Sequence, residues 1–329
     1  MASETALACA RETDDGKRLI CYDRMFAENP AAARGDAGQS EPARSATPDG
    51  KNASPSSSVM SRGWELGPDD KRGTFVVRTY QPNFLLPVHY TTSINRSPAS
   101  PTQAAGKNNP DYRNIEAKLQ ISLRAKVAED FLLPGADLWF AYTQRSLWQI
   151  WDHQDSAPFR SSDYQPEAIY VIPIPERIGQ LPFGWNLRML QLGLAHQSNG
   201  QSDPLSRSWN RIYAGMGLEH GELAVNLRVN SRLPEADSDQ NPDLANYIGR
   251  GEIALNWFPG LSTLGLTWRT NFTTLSRGSL QADLTHPVFA GKPNGLRWYA
   301  QFFTGYGETL LDYNHRQTRF GLGLSLFQF

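Results

Sequence analysis

The chain has 329 residues and a formal net charge of −1, which excludes the bulk basic field that binds nucleic acid. Its mean hydropathy is −0.50, and no run approaches the ~18–20 apolar residues of a membrane-spanning helix. That absence leaves a membrane barrel open, because a barrel strand carries only alternating apolar residues over about ten positions.

Residues 1–20 lack a basic start followed by an apolar core, so an exported form of this chain would already have lost its leader. The two cysteines, Cys9 and Cys21, are even in number and close. They suit one small disulfide loop in an oxidising compartment, with two unrelated reduced thiols as the alternative. In a single helix they would lie about 18 Å apart at ~1.5 Å per residue, too far for a disulfide. A bridged segment over 1–27 must therefore turn, and Asp14-Asp15-Gly16 is the place. Residues 28–65 are rich in Pro, Ala, Gly and Ser, without periodicity, and are expected to form a flexible linker.

Residues 66–329 are expected to form one barrel domain. From about Arg72 the texture alternates with period two. Phe84, Leu86, Val88, Tyr90 and Thr92 are expected to share a face. Leu138, Phe140 and Tyr142 share another, as do Leu190, Leu192 and Leu194. Leu223, Val225, Leu227 and Val229 alternate with Asn226, Arg228 and Asn230. Segments near ten residues long exceed the soluble-strand norm of about 5–6. Trp and Tyr recur near their ends, as at a membrane interface, and the chain closes on a strand ending in Phe329. The fold expected is all-β: an antiparallel transmembrane β-barrel with a small N-terminal periplasmic extension. Eleven or twelve strands follow Phe84, and the even-number rule sets twelve. Glu167, Glu252, Arg228 and Arg269 then fall on the inner face as a network filling the lumen. His89, His220 and His315 lack a paired serine and are expected in lumen, loop or turn, and the GYGE segment at Gly305 in a tight turn.

The stretch Leu190–Leu218 carries the chemistry. His196 and Ser198 share the parity of Leu190, Leu192 and Leu194, hence the lipid face. If Asn199–Leu205 connects two antiparallel strands, Asn210 lies beside His196 on the same face as Ile212. A serine needs an adjacent base; His196 would take its proton and Asn210 would orient the imidazole. A neutral amide suits a lipid face, where an ionised aspartate is costly. The Gly200 N–H is placed to stabilise an oxyanion. Asp203, Ser206 and loop carbonyls form a hard-oxygen cluster suited to Ca²⁺. Gln144 shares the apolar face of Leu138, Phe140 and Tyr142, and is expected to be unsatisfied there unless a partner subunit bonds it.

The segments HQSNGQSDPLSRSWNRIY, YTQRSLWQ (Tyr142–Gln149), SAPFR (Ser156–Arg160), Asn241-Pro242-Asp243 and GYGETLLDYNHRQTRFGLGL (Gly305–Leu324) closely resemble the bacterial outer membrane phospholipase A family. The matches run from about Leu138 to Phe329 in one order. CARETDDGKRLICYDRMF resembles an N-terminal extension found in some members. The resemblance implies a twelve-stranded barrel in the outer membrane, with Ser198 as nucleophile, His196 as base, Asn210 as orienting residue and Gly200 at the oxyanion. It implies a calcium-dependent phospholipase acting at the sn-1 and sn-2 esters of phospholipids and on lysophospholipids, switched on by homodimerisation. Calcium would be held by the Ser206 hydroxyl, the Gln201 carbonyl and a carbonyl of the partner's Ser156, with Gln144 at the dimer interface. A second calcium site of the family uses two carboxylates. Asp203 matches one, but Gln240, beside Asp239, stands where the other belongs. The competing readings are a non-enzymatic outer-membrane pore or structural barrel, and a lipid A deacylase.

Overall fold

A computed structural model describes Lys17 and residues 58–107, 109–153, 158–235 and 239–326. Cys9, Cys21, Ser156 and Phe329 lie outside the described residues, as does the expected linker up to residue 57. Two compact units divide the chain, 1–52 and 53–329, and the second carries the fold.

Its described residues form thirteen strands in one closed antiparallel sheet. They are β1 Val77–Thr79, β2 Asn83–Thr91, β3 Ile115–Ala128, β4 Asp137–Trp148, β5 Phe159–Pro173, β6 Asn186–Ser198, β7 Ser208–His220, β8 Leu223–Arg232, β9 Gly251–Trp257, β10 Thr263–Thr270, β11 Ser279–Pro287, β12 Leu296–Gly305 and β13 Gln317–Leu326. β1 and β2 pair in tandem with β3. They act as one stave interrupted around Pro82, so the barrel has the twelve expected. Closure runs through β13 against β2, Phe320 facing Tyr90 and Arg319 facing Thr91. A closed sheet leaves no unpaired edge for lipid to meet.

Side-chain exposure fixes the orientation. Along β6, Leu190, Leu192 and Leu194 are exposed, the latter two at 54% and 52%, while Met189, Gln191 and Ala195 are buried. The apolar face is therefore outside, as a membrane barrel requires and a soluble sandwich forbids. The expectation for β2 fails in part. Phe84 and Leu86 point inward and are buried, whereas Val88 and Tyr90 are exposed. The pairing with β3 shifts register between Leu86 and His89. Pro87 lies in this stretch without an N–H to continue the ladder, and the extra residue reverses the parity. Phe84 instead stacks on Tyr299 inside, with ring centroids 4.9 Å apart.

The lumen is filled with paired charge. Arg269 Nε donates to Glu252 (2.8 Å), Tyr213 to Glu167 (3.1 Å) and Arg228 to the Tyr80 hydroxyl (3.0 Å). These are the inner-face groups expected to form a network. The interior space left is ≈ 320 Å³, small for an aqueous channel. One end is occupied by helix α1, Val59–Trp64, where the sequence leads one to expect flexible linker. Ser58 caps it, accepting from the Ser61 N–H. Met60 is buried among Tyr80, Trp139, Ile169 and Met189, with Trp64 packed against the same cluster. Arg124 lies over the Trp64 ring at 3.8 Å. The apolar pair Met60/Trp64, spaced for one helix face, is what an unperiodic composition concealed.

The opposite end is closed by residues 306–316. The expected tight turn at GYGE is instead the start of this longer loop, which dives into the barrel mouth. Leu310 and Tyr313 pack on Trp209 and on Leu244 of helix α2 (Leu244–Ile248). Asp312 accepts from Arg160 (2.8 Å), which also binds Glu116 (2.6 Å), and Glu116 binds Arg319 (2.8 Å). Burial alone would raise the Asp312 carboxyl, but the Arg160 guanidinium outweighs it and holds the group below the usual carboxylate range.

Candidate active site

The site stands on the outer wall where β6 and β7 approach the loop end of the barrel. The two strands pair as Leu194 with Ile212, His196 with Asn210 and Ser198 with Ser208. Their connection runs from Asn199 to Arg207, two residues longer than expected, without altering this register. His196 Nδ1 lies 2.8 Å from Asn210 Oδ1. Ser198 follows His196 by two residues on the same face and is half-buried. Among the described residues the Ser198 hydroxyl makes no hydrogen bond.

A residue unsuspected from sequence completes the row. Asn210 Nδ2 donates to Glu235 Oε1 at 3.3 Å. Glu235 lies just beyond β8 and twenty-five residues from Asn210, and no spacing rule connects them. In the sequence Glu235 is one of several carboxylates after Pro234, with Asp237 and Asp239, and nothing there singles it out.

The loop is organised by two buried residues, Asn199 and Arg207, that no sequence pattern singles out. Asn199 Oδ1 accepts from the N–H groups of Arg207 (2.9 Å) and Gln201 (3.3 Å), and its Nδ2 donates to the Leu205 carbonyl (2.8 Å). Arg207 donates to the carbonyls of Pro204 (2.9 Å) and Ser206 (2.7 Å). Burial lowers its guanidinium pKa from the ordinary value. Gly200 follows Asn199 with φ +63°, and a Cβ there would meet a Tyr164 ring carbon at 3.1 Å. Both the left-handed backbone and the close ring favour glycine.

Asp203, Ser206 and Gln240 are brought together. Ser206 Oγ donates to Gln240 Oε1 (2.8 Å), and the Gln240 amide donates to Asp203 Oδ1 (3.3 Å). Gln103 Nε2 donates to the same Asp203 oxygen (3.2 Å). Having given its proton to Gln240, the Ser206 hydroxyl keeps its lone pairs. Among the described residues the Gln201 carbonyl accepts no hydrogen bond. These hard, neutral oxygens fit the ligand preference of Ca²⁺. Asp203 faces two amide donors rather than a second carboxylate, so a cation bound there must displace them.

Gln144 lies outward on β4 between Ile121 of β3 and Tyr164 of β5. It is not left unsatisfied, contrary to expectation. Tyr142 donates to its Oε1 (3.3 Å) and its Nε2 donates to Ser146 Oγ (3.4 Å). A glutamine amide has two N–H bonds and two lone pairs, so one of each remains for a second molecule. His315, expected to lack a serine, has Ser93 Oγ at 3.1 Å from Nε2. That nitrogen also lies 3.0 Å from the Ser93 carbonyl. A carbonyl can only accept, so Nε2 carries the proton there and is no base.

Beside His196 the outer wall is grooved. Ala168, Gly193 and Ala214 lie among Leu138, Tyr170, Leu192, Leu194, Ile212 and Val229, enclosing ≈ 570 Å³ of almost wholly apolar space. Gly193 turns inward, where a Cβ would strike the Tyr213 ring at 2.1 Å. The tyrosine thus occupies the lumenal side of the wall, and nothing projects at this position into the groove.

A transmembrane barrel with Ser198, His196 and Asn210 clustered on two neighbouring strands of its oily face has the layout of a membrane-embedded hydrolase. The family model for Phospholipase A1 matches residues 60–326, and the chain belongs to that family. A putative phospholipase A1 of Neisseria meningitidis serogroup B is 40% identical, over 98% of this chain and 90% of its own length. The crystal structure of the Salmonella typhi outer membrane phospholipase dimer with bound calcium is 32% identical. It superposes with a TM-score of 0.66, covering 77% of this chain and 92% of its own. The Escherichia coli outer membrane phospholipase A has been solved with an active-site asparagine replaced by alanine. It is 29% identical, with a TM-score of 0.66 over 78% of this chain and 93% of its own.

Proposed function

We propose that this chain is a calcium-dependent phospholipase of the outer membrane that hydrolyses the sn-1 and sn-2 acyl esters of phospholipids and lysophospholipids, and that it works as a homodimer. The observation that carries the reading is the 2.8 Å contact between His196 Nδ1 and Asn210 Oδ1 on the lipid-facing wall, with Ser198 two residues along. The active-site asparagine of the Escherichia coli relative supports the role of Asn210. The calcium-bound Salmonella dimer supports both the cation and the second subunit.

Asn210 Oδ1 accepts from Nδ1, so His196 is the Nδ1–H tautomer and its Nε2 lone pair is free. His196 Nε2 takes the Ser198 proton as Oγ attacks the ester carbonyl. The Gly200 N–H is the donor we assign to the negative charge that develops on the carbonyl oxygen. Collapse breaks the acyl–oxygen bond; the lysolipid oxygen takes the proton from Nε2 and leaves, with Ser198 acylated. Water then gives a proton to Nε2, attacks the acyl carbon, and releases the fatty acid as the proton returns to Oγ. The apolar groove is shaped to hold the acyl chain alongside.

Ser206 through its hydroxyl and Gln201 through its carbonyl would hold Ca²⁺ together with a carbonyl of the partner's Ser156. Bound there, the cation supplies electrostatic stabilisation near the oxyanion. The test is phospholipid turnover by Ser198→Ala protein with and without a chelator. Complete loss in the variant, and loss on chelation that added calcium reverses in the parent, is expected. Chelator-resistant hydrolysis by Ser198→Ala protein would overturn the reading.

A further inference from the structure

We propose that Glu235 is a positioning residue that selects the tautomer of His196 through Asn210. The proposal rests on the Ser198-His196-Asn210 reading above and adds a fourth member to it. The Asn210 amide sits between two partners, the imidazole at 2.8 Å and the Glu235 carboxylate at 3.3 Å. An amide is nearly symmetric in shape but not in chemistry. If it rotates by half a turn, Nδ2 presents an N–H to His196 Nδ1. Nδ1 must then accept, the proton moves to Nε2, and the nitrogen that has to take the Ser198 proton loses its lone pair. A carboxylate only accepts hydrogen bonds. Glu235 therefore demands the NH₂ end of the amide and turns Oδ1 toward the imidazole. The base at Nε2 follows from that choice.

The carboxylate is itself held. The Leu233 N–H donates to the Asn210 carbonyl (2.8 Å), continuing the β7–β8 ladder past the end of β8 and bringing the next residues back against the wall. Arg232 reaches Glu235 Oε2 at 3.5 Å, and is anchored on the Asn241 carbonyl (2.7 Å) and Asp239 Oδ1 (2.8 Å). The Glu235 side chain is 16% exposed. The arrangement also answers an electrostatic problem. An aspartate at position 210 would stabilise the imidazolium directly, but it would lie on the oily face among Ile212 and Leu194, where an ionised group is costly. An amide there, backed by a carboxylate beyond the strand end and beside an arginine, keeps the orienting function and moves the charge off the lipid face.

The experiment uses the full-length protein in mixed micelles, with folding of each variant checked by heat-modifiable gel mobility. Glu235→Ala should lower kcat by about tenfold, the scale of one lost hydrogen bond to the catalytic machinery, with KM within about twofold. Glu235→Gln keeps a carbonyl oxygen that can accept from Asn210 and should recover most of the loss. In an Asn210→Ala background, Glu235→Ala should add no further loss. ¹⁵N spectra of histidine-labelled protein should show His196 as Nδ1–H in the parent and as mixed tautomers in Glu235→Ala. Parental kcat and a single tautomer in folded Glu235→Ala protein would overturn the proposal. So would an undiminished effect in the Asn210→Ala background. Ser198→Ala is run beside them: if it alone keeps full activity, the reading of the site has failed. If it is dead while Glu235→Ala is fully active, only the role of Glu235 has failed.

Discussion

Gln144 and Ser198 lie in one cross-strand row of the outer wall, with Tyr164 between them: Gln144 pairs with Tyr164, and Tyr164 with Ser198. Two strand spacings, about 10 Å, separate the glutamine from the nucleophile. A second molecule docking on Gln144 therefore approaches the site itself. The amide has one N–H and one lone pair left after its bonds to Ser146 and Tyr142. Gln144→Ala should weaken the dimer by roughly 1 kcal/mol, about fivefold, the scale of one interhelical hydrogen bond in a membrane. Crosslinking across a detergent-dilution series reads this directly. Activity should fall at low protein and return as concentration rises. Unchanged crosslinking would remove Gln144 from the interface.

The orienting bond at Asn210 sets a separate scale. Asn210→Ala leaves the His196 ring free to rotate and to protonate at either nitrogen. A hydrogen bond to a group that becomes charged contributes about 1.5–3 kcal/mol, roughly 10–150-fold in rate. The loss should appear in kcat with KM little changed. Phospholipid turnover under saturating calcium is the measurement, and a KM effect alone would mean that Asn210 serves binding.

The outer wall was readable from sequence because period two assigns faces independently of tertiary context. Leu190, Leu192, Leu194 and His196 needed no structure to be placed together, and the hairpin register followed from one assumption about its turn. Parity misleads where the backbone leaves that period. At Pro87 a register shift reversed the parity, so Phe84 and Leu86 turned inward. Met60 and Trp64 were hidden in a composition that looks unstructured. Glu235 and Asn199 act through hydrogen bonds whose partners no periodicity brings together. The chemistry at Gln240 was half-readable: the missing carboxylate was visible, but not that its amide would join Ser206 to Asp203.

That amide leads to a calcium prediction. Gln240 accepts from Ser206 and donates to Asp203, so it sits where a cation would join the same two groups. Gln240→Glu would exchange a donor for a second carboxylate beside Asp203, and like charges at that spacing repel unless a cation lies between them. The variant should be less stable than the parent without calcium and should gain more from added calcium. Thermal unfolding in a chelator and across a calcium series reads the difference. Equal calcium dependence in the two proteins would show that Gln240 does not border a cation site.

Asp312 at the barrel mouth gives the protein an acid limit. Burial raises its carboxyl, but Arg160 more than offsets this, and the folded-state pKa lies below the ordinary value. A depressed carboxylate contributes stability that is fully present above its unfolded pKa, about 3.9. That contribution is lost as pH falls through the lower folded value. Stability should therefore decline below about pH 4 as the Asp312 carboxylate protonates and its pairing with Arg160 is lost. Asp312→Asn leaves Arg160 with one carboxylate fewer in a buried setting, where breaking a pair costs about 3–5 kcal/mol. The variant should be destabilised at neutral pH and should show a shallower acid decline than the parent. Midpoints of thermal unfolding between pH 3 and 8 compare the two slopes. Parallel curves would mean that Asp312 keeps the same proton affinity folded and unfolded, and that another carboxylate sets the acid limit.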